Sequence, residues 1–407
     1  MKTTIERLGH HGDGIAPGPI FAPLTLPGEE IEGDVEGGRM ASPRILTPSP
    51  SRVKAPCVHF KSCGGCALQH ASDEFVADWK VGVVKFALEA QGISAPFEPI
   101  QTSPPQSRRR ATFSAIRTKK GAIIGFHGRA SGAVIAVPEC QLVHPEMMAA
   151  MPAIEAIVAI AGSRKGEIKA TVTRAEGGCE LAISGGKPLD GALRITLASL
   201  VEQFKLARLS WDGEQLAERR APLQHFGAAA VNPPPGAFLQ ATPEGEAALL
   251  AAVTRALGDK PGRIVDLFAG CGTFALPLAA RSEVHAVETE AEMLAALDHG
   301  WRFAKGLKKV TTEARDLFRR PLLEDELAKF DGAVIDPPRA GAEAQISELA
   351  KSGIKRIAAV SCNPVTFARD ASKLIGAGYS LDWVQVVDQF RWSPHVEVAA
   401  QFTKGVR

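Results

Sequence analysis

The alternation of apolar and polar positions divides the chain into three stretches of different character. Residues 1–53 hold short apolar runs between Gly and Pro turn signals, without helical periodicity, which predicts a small β-barrel. Residues 54–230 combine a helical pattern with strand-like segments, which predicts a central α+β domain. Residues 231–407 alternate apolar strands with helical segments, which predicts an α/β domain with a doubly wound, Rossmann-like sheet. The four strands expected there are Arg263–Leu267, Glu283–Val287, Gly332–Ile335 and Ile357–Val360.

The last of these strands leads directly to a cysteine. Ile357–Val360 continues into Ser361-Cys362-Asn363-Pro364, and the Asn-Pro pair ends the strand because proline cannot donate to a ladder. Cys362 is therefore expected at the carboxyl end of a strand, where open α/β sheets bind their ligands. Taken alone, this feature also fits a small buried structural thiol.

A glycine loop follows the first strand of the same region. Asp266-Leu267-Phe268-Ala269-Gly270-Cys271-Gly272-Thr273 allows a tight turn and a close approach of a ligand to the backbone. The next strand ends at Glu288, about 20 positions on, where a carboxylate can accept hydrogen bonds from ribose hydroxyls. An ordinary strand-end carboxylate is the alternative for Glu288. Because the third glycine of a dinucleotide fingerprint is missing, the loop favours S-adenosylmethionine over a dinucleotide.

Two further acidic residues stand at predicted strand ends. Asp336 closes the strand Gly332–Ile335 and is followed by Pro337-Pro338, a rigid pair that can present a carboxylate beside a ligand. His395 and Glu397 alternate at the start of a last strand, so their side chains share one face. Glu397 beside a nucleophile would be a candidate proton acceptor.

Three of the seven cysteines cluster in the central stretch. The pattern is Cys57-x5-Cys63-Gly-Gly-Cys66, and Cys140 is the best candidate for a fourth member. A disulfide framework is not expected in a cytosolic chain, so the spacing indicates a metal or cluster site. Zinc is the first alternative for such a group.

Charge and composition narrow the function classes. The hydrophobic content of 45% and charged content of 23% are typical of a soluble globular protein, and no apolar run is long enough for a membrane span. With a start that does not resemble a signal peptide, we expect a cytoplasmic monomer.

Net charge is only +2, but seven basic residues and no acidic ones lie between Ile100 and Val137, which fits either an RNA partner or a solvated face. These residues are Arg108, Arg109, Arg110, Arg117, Lys119, Lys120 and Arg129.

Together, the motifs resemble the RNA uridine-5-methyltransferases, which make 5-methyluridine in tRNA and 23S rRNA. The resemblance spans nearly the whole chain. It includes a TRAM-like domain in residues 1–53, matched at Gly12, Gly14, Phe21, Pro27-Gly28-Glu29 and Ser51-Arg52-Val53. The motifs that carry the enzyme resemblance are Phe238-Leu239-Gln240, Asp266-Leu267-Phe268-x-Gly-x-Gly, Asp336-Pro337-Pro338-Arg339-x-Gly, Ser361-Cys362-Asn363-Pro364 and His395-Val396-Glu397.

The resemblance implies roles for individual residues. Cys362 would add to carbon 6 of the uracil as the nucleophile, and Glu397 would remove the carbon-5 proton as the base. At position 273, where relatives often have Asn, this chain has Thr273. The expected contacts to S-adenosylmethionine are Gln240, Phe268, Gly270, Gly272, Thr273, Glu288, Asp316 and Asp336.

The resemblance also implies what the clustered cysteines bind and which class of RNA is the partner. Members with this cysteine spacing carry a 4Fe–4S cluster, so Cys57, Cys63, Cys66 and Cys140 would hold one with all four thiolates. Bacterial tRNA-specific members lack the cluster, which favours 23S rRNA as the partner. Two alternatives are a tRNA 5-methyluridine methyltransferase and an RNA-binding iron–sulfur protein with a degenerate catalytic domain. The central region, 54–230, would then carry the cluster and contact RNA.

Overall fold

The N-terminal part is built from six short strands. A computed structural model of the protein describes residues 1–259 and 261–405; residues 260, 406 and 407 of the predicted third domain lie outside the described residues. The strands form two three-stranded antiparallel sheets, ordered β1-β5-β6 and β2-β3-β4, around the buried side chains of Ile5, Ile31 and Met40. Their bounds are β1 (Lys2–Thr4), β2 (Arg7–Leu8), β3 (Gly14–Ala16), β4 (Ile20–Ala22), β5 (Glu30–Glu32) and β6 (Arg44–Thr47).

A seven-stranded sheet organises the central part, in the order β10-β9-β8-β11-β12-β13-β14, and a separate hairpin joins β15 to β16. The elements from here to the end of the hairpin are α1 (Asp73–Glu89), β7 (Phe97–Thr102), β8 (Arg110–Arg117), β9 (Ala122–His127), β10 (Val134–Ala136), α2 (Pro145–Met148), α3 (Met151–Ala161), β11 (Glu167–Ala175), β12 (Gly178–Ser184), α4 (Gly191–Gln203), β13 (Arg208–Trp211), β14 (Glu214–Glu218), β15 (Gln224–Phe226) and β16 (Ala229–Val231). α2 and α3 are separate helices, because Pro152 stands in the first turn of α3, where proline begins rather than continues a helix.

The C-terminal part is an eight-stranded sheet in the order β19-β18-β17-β20-β21-β23-β22-β7. Strands β17 to β21 are parallel, and β23 runs antiparallel between β21 and β22. The α/β, Rossmann-like prediction for this region is confirmed. Its elements are α5 (Pro243–Leu257), β17 (Arg263–Leu267), α6 (Ala275–Leu278), β18 (Glu283–Glu288), α7 (Ala291–Phe303), β19 (Val310–Ala314), α8 (Glu324–Leu327), β20 (Gly332–Ile335), α9 (Glu343–Lys351), β21 (Arg356–Ser361), α10 (Pro364–Gly376), β22 (Tyr379–Asp388) and β23 (Glu397–Lys404).

Helices cover both faces of this sheet, as its apolar strands require. α5 and α7 bury Leu249, Val253 and Leu297 on one face, and α9 and α10 bury Ile346 and Leu374 on the other. The strand order reverses between β17 and β20, so the loops at the carboxyl ends of these strands diverge and leave a crevice.

Helix α1 and strand β7 lie within the predicted central domain but pack on the C-terminal sheet. β7 pairs with β22 in parallel, and α1 packs against α10. Lys80 lies in the buried stripe of α1 and forms an ion pair of 2.5 Å with Asp388, both side chains almost fully buried. The end of β22 is therefore tied to α1. The domain boundaries themselves stay a prediction.

Among the helices of residues 1–259 and 261–405, none is at once long enough and apolar enough to cross a bilayer.

Candidate active site

Cys362 and Glu397 lie at adjoining ends of two neighbouring strands. β21 and β23 are antiparallel, and their ladder ends with Ser361 opposite Val398, so Cys362 and Glu397 adjoin this last pair. The negative charge of Glu397 raises the pKa of Cys362, which shows that the two groups lie close together. Asn363 follows Cys362 and caps α10, its side chain accepting from Val365 N at 3.1 Å. Cys362 thus sits in the short turn between a buried strand and a helix.

A chain of buried amides joins Glu397 to Asp336. Gln389, at the end of β22, donates from Nε2 to Glu397 Oε2 at 3.0 Å and to Gln240 Oε1 at 2.6 Å. Gln240 in turn donates from Nε2 to Asp336 Oδ2 at 3.2 Å. Residues from four separate segments therefore meet at the carboxyl edge of the sheet, two of them carboxylates and one a thiol.

The three ionisable groups of this site disfavour one another's charge. Burial, followed by the negative charges of Glu397 and Asp336, raises the pKa of Cys362 to about 11. Burial and then the charge of Asp336 raise the pKa of Glu397 to about 8, and burial raises the pKa of Asp336 to about 7. Close carboxyl groups with raised pKa values can give and take protons near neutral pH.

The glycine loop after β17 has the shape of a ligand cradle. Gly270 has a φ of +53° and would direct a Cβ into open space, whereas a Cβ on Gly272 (φ +94°) would lie 2.8 Å from the Leu276 side chain. Gly270 N donates to Glu288 Oε2 at 3.0 Å, which joins the loop to the end of β18. The residues present therefore fit a cofactor that lies against the backbone of Gly270 and whose hydroxyls reach Glu288.

Three other predicted cofactor contacts lie around this loop. Phe268 has a φ of +66°, and its ring centroid is 5.4 Å from that of Phe318. Asp316 accepts from Phe318 N at 2.9 Å and Arg319 N at 3.2 Å, so part of its carboxylate stabilises its own turn. Thr273 is half-buried in the glycine loop. All three are near the crevice, and their contacts to a cofactor remain predictions.

A cavity of about 530 Å³ opens beside Cys362. Its walls include Phe86 of α1 and Val365 of α10, whose side chains are 75% and 71% exposed, and His10 and His11 of the N-terminal part. Such a wall exposes apolar surface next to the half-buried Cys362 thiol, which suits a planar, partly apolar ligand.

The four cluster cysteines line one cavity of about 570 Å³. Burial raises the pKa of Cys66 to about 12, and Cys140, Cys63 and Cys57 add to the shift, which shows that the thiols sense one another. Within residues 1–259 and 261–405, no group of three or more His, Cys, Asp or Glu side chains is arranged to hold a single metal ion. The described thiols therefore share a cavity without forming a mononuclear site.

The seven basic residues between Ile100 and Val137 do not form one exposed face, so they are not simply a solvated face, and their contact with RNA stays a prediction. Arg109 is buried, pairs with Glu246, and donates from Nε to Gln240 O at 3.0 Å. Arg110 donates to Gly236 O, and Arg129 to Cys66 O. Successive side chains of a strand point to opposite faces, so neighbouring arginines cannot share one. Only Lys119 and Lys120 of the seven are fully exposed.

Two residues of this site were not identified from the sequence. Gln389 belongs to no motif, although a polar residue directly after the apolar strand β22 was a possible signal. Lys80 occupies a position of the buried stripe of α1, between Val76 and Val84, and a lysine within an apolar stripe signals a buried partner.

Comparison with known proteins shows that this chain is similar to RNA methyltransferases. The family model for tRNA (uracil-5-)-methyltransferase matches residues 231–404. An RNA methyltransferase of Brucella suis biovar 1 is 45% identical over 407 residues, which covers 99% of this chain and 98% of the relative. The 23S rRNA (uracil(1939)-C(5))-methyltransferase of Nitrosococcus oceani is 30% identical over 437 residues, covering 99% of this chain and 96% of the relative.

A solved structure shares the whole architecture. The tRNA (uracil-54, C5)-methyltransferase of Pyrococcus abyssi, crystallised with S-adenosyl-L-homocysteine, superposes with a TM-score of 0.77 and covers 99% of both chains. Its sequence is 21% identical, so this likeness supports the fold alone.

Proposed function

The chain belongs to the S-adenosylmethionine-dependent RNA (uracil-5-)-methyltransferases, and we propose that it methylates carbon 5 of a uridine in 23S rRNA with Cys362 as nucleophile and Glu397 as base. The observation that supports the mechanism is the β21–β23 ladder, whose last pair, Ser361 and Val398, adjoins Cys362 and Glu397. Identity of 30% to a 23S rRNA enzyme over nearly the full length favours rRNA over tRNA.

The chemistry needs a nucleophile and a base on one uracil ring. Carbon 5 of uracil is too weak a nucleophile to take a methyl group directly. Addition of the Cys362 thiolate to carbon 6 produces an enolate that is nucleophilic at carbon 5. Bound S-adenosylmethionine supplies the electrophilic methyl group. Glu397 then removes the carbon-5 proton, and the electron pair of that C–H bond expels the Cys362 thiolate and restores the ring.

The raised pKa values predict how activity depends on pH. Glu397, with a pKa of about 8, must be ionised to accept the carbon-5 proton. Cys362, with a pKa of about 11, must lose its proton to attack. Both requirements favour higher pH, so the rate should rise from pH 7 to pH 9. Near pH 7, Cys362 and Glu397 are both mostly protonated before the substrate binds.

Eight residues at the carboxyl edge would hold the cofactor. Glu288 Oε2 accepts from Gly270 N and Oε1 accepts from Thr289 N and Glu290 N, so a ribose hydroxyl would bind to the remaining lone pair of Oε2. The open side of Gly270 allows close backbone approach. The full proposed set is Gln240, Phe268, Gly270, Gly272, Thr273, Glu288, Asp316 and Asp336.

The cysteine cavity fits a 4Fe–4S cluster held by Cys57, Cys63, Cys66 and Cys140. Its thiols approach one cavity from separate loops, and a cluster keeps its four thiolates farther apart than a single ion does. Two arginines lie close enough to stabilise thiolates. Arg129 lowers the pKa of Cys63 and Arg108 lowers that of Cys140, against the larger effect of burial. Such a group would cross-link the loop before α1 to the loop between β10 and α2, and no step of methyl transfer is assigned to it.

The RNA would reach Cys362 through the cavity walled by Phe86 and Val365. A uridine that must leave its stack to react needs a replacement stacking surface, and exposed aromatic side chains provide one. His10 and His11 bring the N-terminal part to the same opening.

The choice of RNA is tested by mass spectrometry of nucleosides from a strain that lacks the gene. 23S rRNA from the deletion strain should lack one 5-methyluridine, and the wild-type gene should restore it while a Cys362→Ala gene should not. Loss of 5-methyluridine from tRNA instead would identify the alternative substrate. Unchanged 5-methyluridine in both RNAs would favour the degenerate RNA-binding protein.

A further inference from the structure

Gln389 makes more hydrogen bonds inside the active site than its place outside every motif suggests. Its side chain is 2% exposed at the end of β22. Besides its bonds to Glu397 and Gln240, its Oε1 accepts from Ala241 N at 2.7 Å. One amide therefore has three hydrogen-bond partners on two separate segments of the chain, Gln240–Ala241 and Glu397.

The direction of these bonds follows from a single backbone group. Ala241 N–H can only donate, so the oxygen of Gln389 must face it and the nitrogen must face the other two partners. The two N–H groups of Gln389 then serve Gln240 Oε1 and Glu397 Oε2. Because Gln240 presents its oxygen to Gln389, its own nitrogen is left to donate to Asp336 Oδ2. Both carboxylates therefore accept a hydrogen bond, and neither amide is free to flip.

We propose that Gln389 is a positioning residue that orients Glu397 toward the carbon-5 proton and favours its ionised form. The inference rests on the proposed role of Glu397. A donor fixed on Oε2 stops rotation of the carboxyl group and leaves Oε1 to take the proton. A hydrogen bond to the charged form also opposes the burial that disfavours it.

The backbone around Gln389 is held as firmly as its side chain. Lys80 pairs with Asp388 and also donates to Phe390 O at 3.1 Å, so the residues on either side of Gln389 are both fixed to α1. Phe390 N donates to Asp388 Oδ1 at 3.1 Å. A side chain on so rigid a segment can orient its neighbour.

The charged groups that face Glu397 come from two neighbouring strands. Asp336 after β20 and Cys362 after β21 both disfavour a second negative charge, while Lys80 is already neutralised by Asp388. His395 is close in sequence, and burial lowers its pKa, which keeps it uncharged at neutral pH. Gln389 is thus the hydrogen-bond donor that supports the Glu397 carboxylate.

The test compares Gln389→Met with wild type and with a matched control, Gln385→Met. Gln385 lies on the same strand and donates only to Pro99 O, at 3.0 Å, away from the site. Methionine keeps the volume of Gln389 but removes its hydrogen bonds. The rate should fall roughly tenfold, and the rising limb of the pH–rate profile should move up by about one unit because the Glu397 carboxylate loses a donor.

A second measurement distinguishes a misplaced Glu397 side chain from a general loss of structure. If Glu397 is misplaced, proton removal slows after methyl transfer, so methylated RNA should accumulate as a covalent adduct on Cys362 in a denaturing gel. Gln389→Glu, which cannot donate to Glu397 when ionised, should shift the profile in the same direction and serves if the Met variant does not fold. Gln385→Met should behave as wild type in both assays.

A folded Gln389→Met protein with the wild-type pH profile and no accumulated adduct would overturn the inference. That failure differs from a failure of the proposed function, in which wild-type protein itself would form no adduct with 5-fluorouridine RNA.

Discussion

The molecule holds partly buried cysteines in two cavities whose surroundings carry opposite charge. At the cavity lined by Cys57, Cys63, Cys66 and Cys140, Arg129 lowers the pKa of Cys63 and Arg108 lowers that of Cys140, against the larger effect of burial. Around Cys362, two carboxyl groups add to burial and raise the pKa further. Burial is the largest cause of the raised thiol pKa values in both cavities, and the charged groups that modify its effect differ: arginines beside Cys63 and Cys140, carboxyl groups beside Cys362.

The two cavities are nevertheless connected by one segment. Trp392 O accepts from Ala67 N at 2.8 Å and from Leu68 N at 3.0 Å, which ties the loop after Cys66 to the segment that leads into β23. His395 lines both cavities. A disturbance of the cysteine loop can therefore reach the strand that carries Glu397.

Removing the catalytic thiol should have the largest effect on activity. Cys362→Ala should lower methyl transfer on the order of a thousandfold or more, because the enolate cannot form without the nucleophile. Binding of S-adenosylmethionine, measured by calorimetry, should persist because the glycine loop is unchanged. Turnover near the wild-type rate by this variant would show that Cys362 is a structural thiol.

Replacing one cysteine of the four-cysteine cavity should cause loss of the proposed 4Fe–4S cluster. It leaves in place Cys362, the thiol proposed to attack the uracil ring. Anaerobically purified protein should contain iron and sulfide at about four each per chain. Cys140→Ser should lose most of that iron, since a neutral hydroxyl is a poor substitute for a thiolate. Cys179→Ser, at a buried cysteine outside this cavity, should retain it. Stoichiometric zinc without iron would refute the 4Fe–4S cluster, and the four-cysteine cavity would then be a zinc site.

Neutralising Glu397 should stabilise the fold at alkaline pH. The pKa of Glu397 is about 8 in the folded protein against an ordinary value of 4.5, so the folded state binds its proton more tightly than the unfolded chain does. Its contribution to stability is complete below pH 4.5 and is lost as the pH rises through 8. The free energy of unfolding of Glu397→Gln should therefore exceed that of wild type by about 4 kcal/mol near pH 8.5 and be close to it near pH 4.5.

Denaturant titrations at the two pH values measure this difference. Glu89→Gln, at an exposed position of α1, is the control and should change neither value. An equal gain at both pH values would mean that packing, and not the charge of Glu397, is responsible.

Removing the aromatic wall should have the smallest effect, confined to RNA. Phe86→Ala should weaken binding of 23S rRNA transcribed in vitro by about 1 kcal/mol, since loss of a base-stacking side chain costs this much. Phe303→Ala removes a ring that is 77% exposed on α7, across the sheet, and should leave RNA affinity unchanged. Equal losses in both variants would show that exposed rings bind RNA without regard to the Cys362 cavity.

The strand-end residues of the site could be predicted from the sequence, and the contacts between distant segments could not. Cys362 and Asp336 follow apolar runs that can only be buried strands, so their edge of the sheet was determined locally. Lys80 and Asp388 are 308 positions apart, and no local pattern joins them. Arg109 looked like one of a row of surface charges because its partner, Glu246, lies on another element.

The central claim is that Cys362 bonds covalently to carbon 6 of the target uridine. Wild-type protein incubated with S-adenosylmethionine and 23S rRNA that contains 5-fluorouridine should form a stable adduct, because fluorine at carbon 5 cannot leave as a proton. Protease digestion and mass spectrometry should locate the RNA on the peptide that carries Cys362, and Cys362→Ala should form none. An adduct on another cysteine, or its absence from active wild-type protein, would contradict the account.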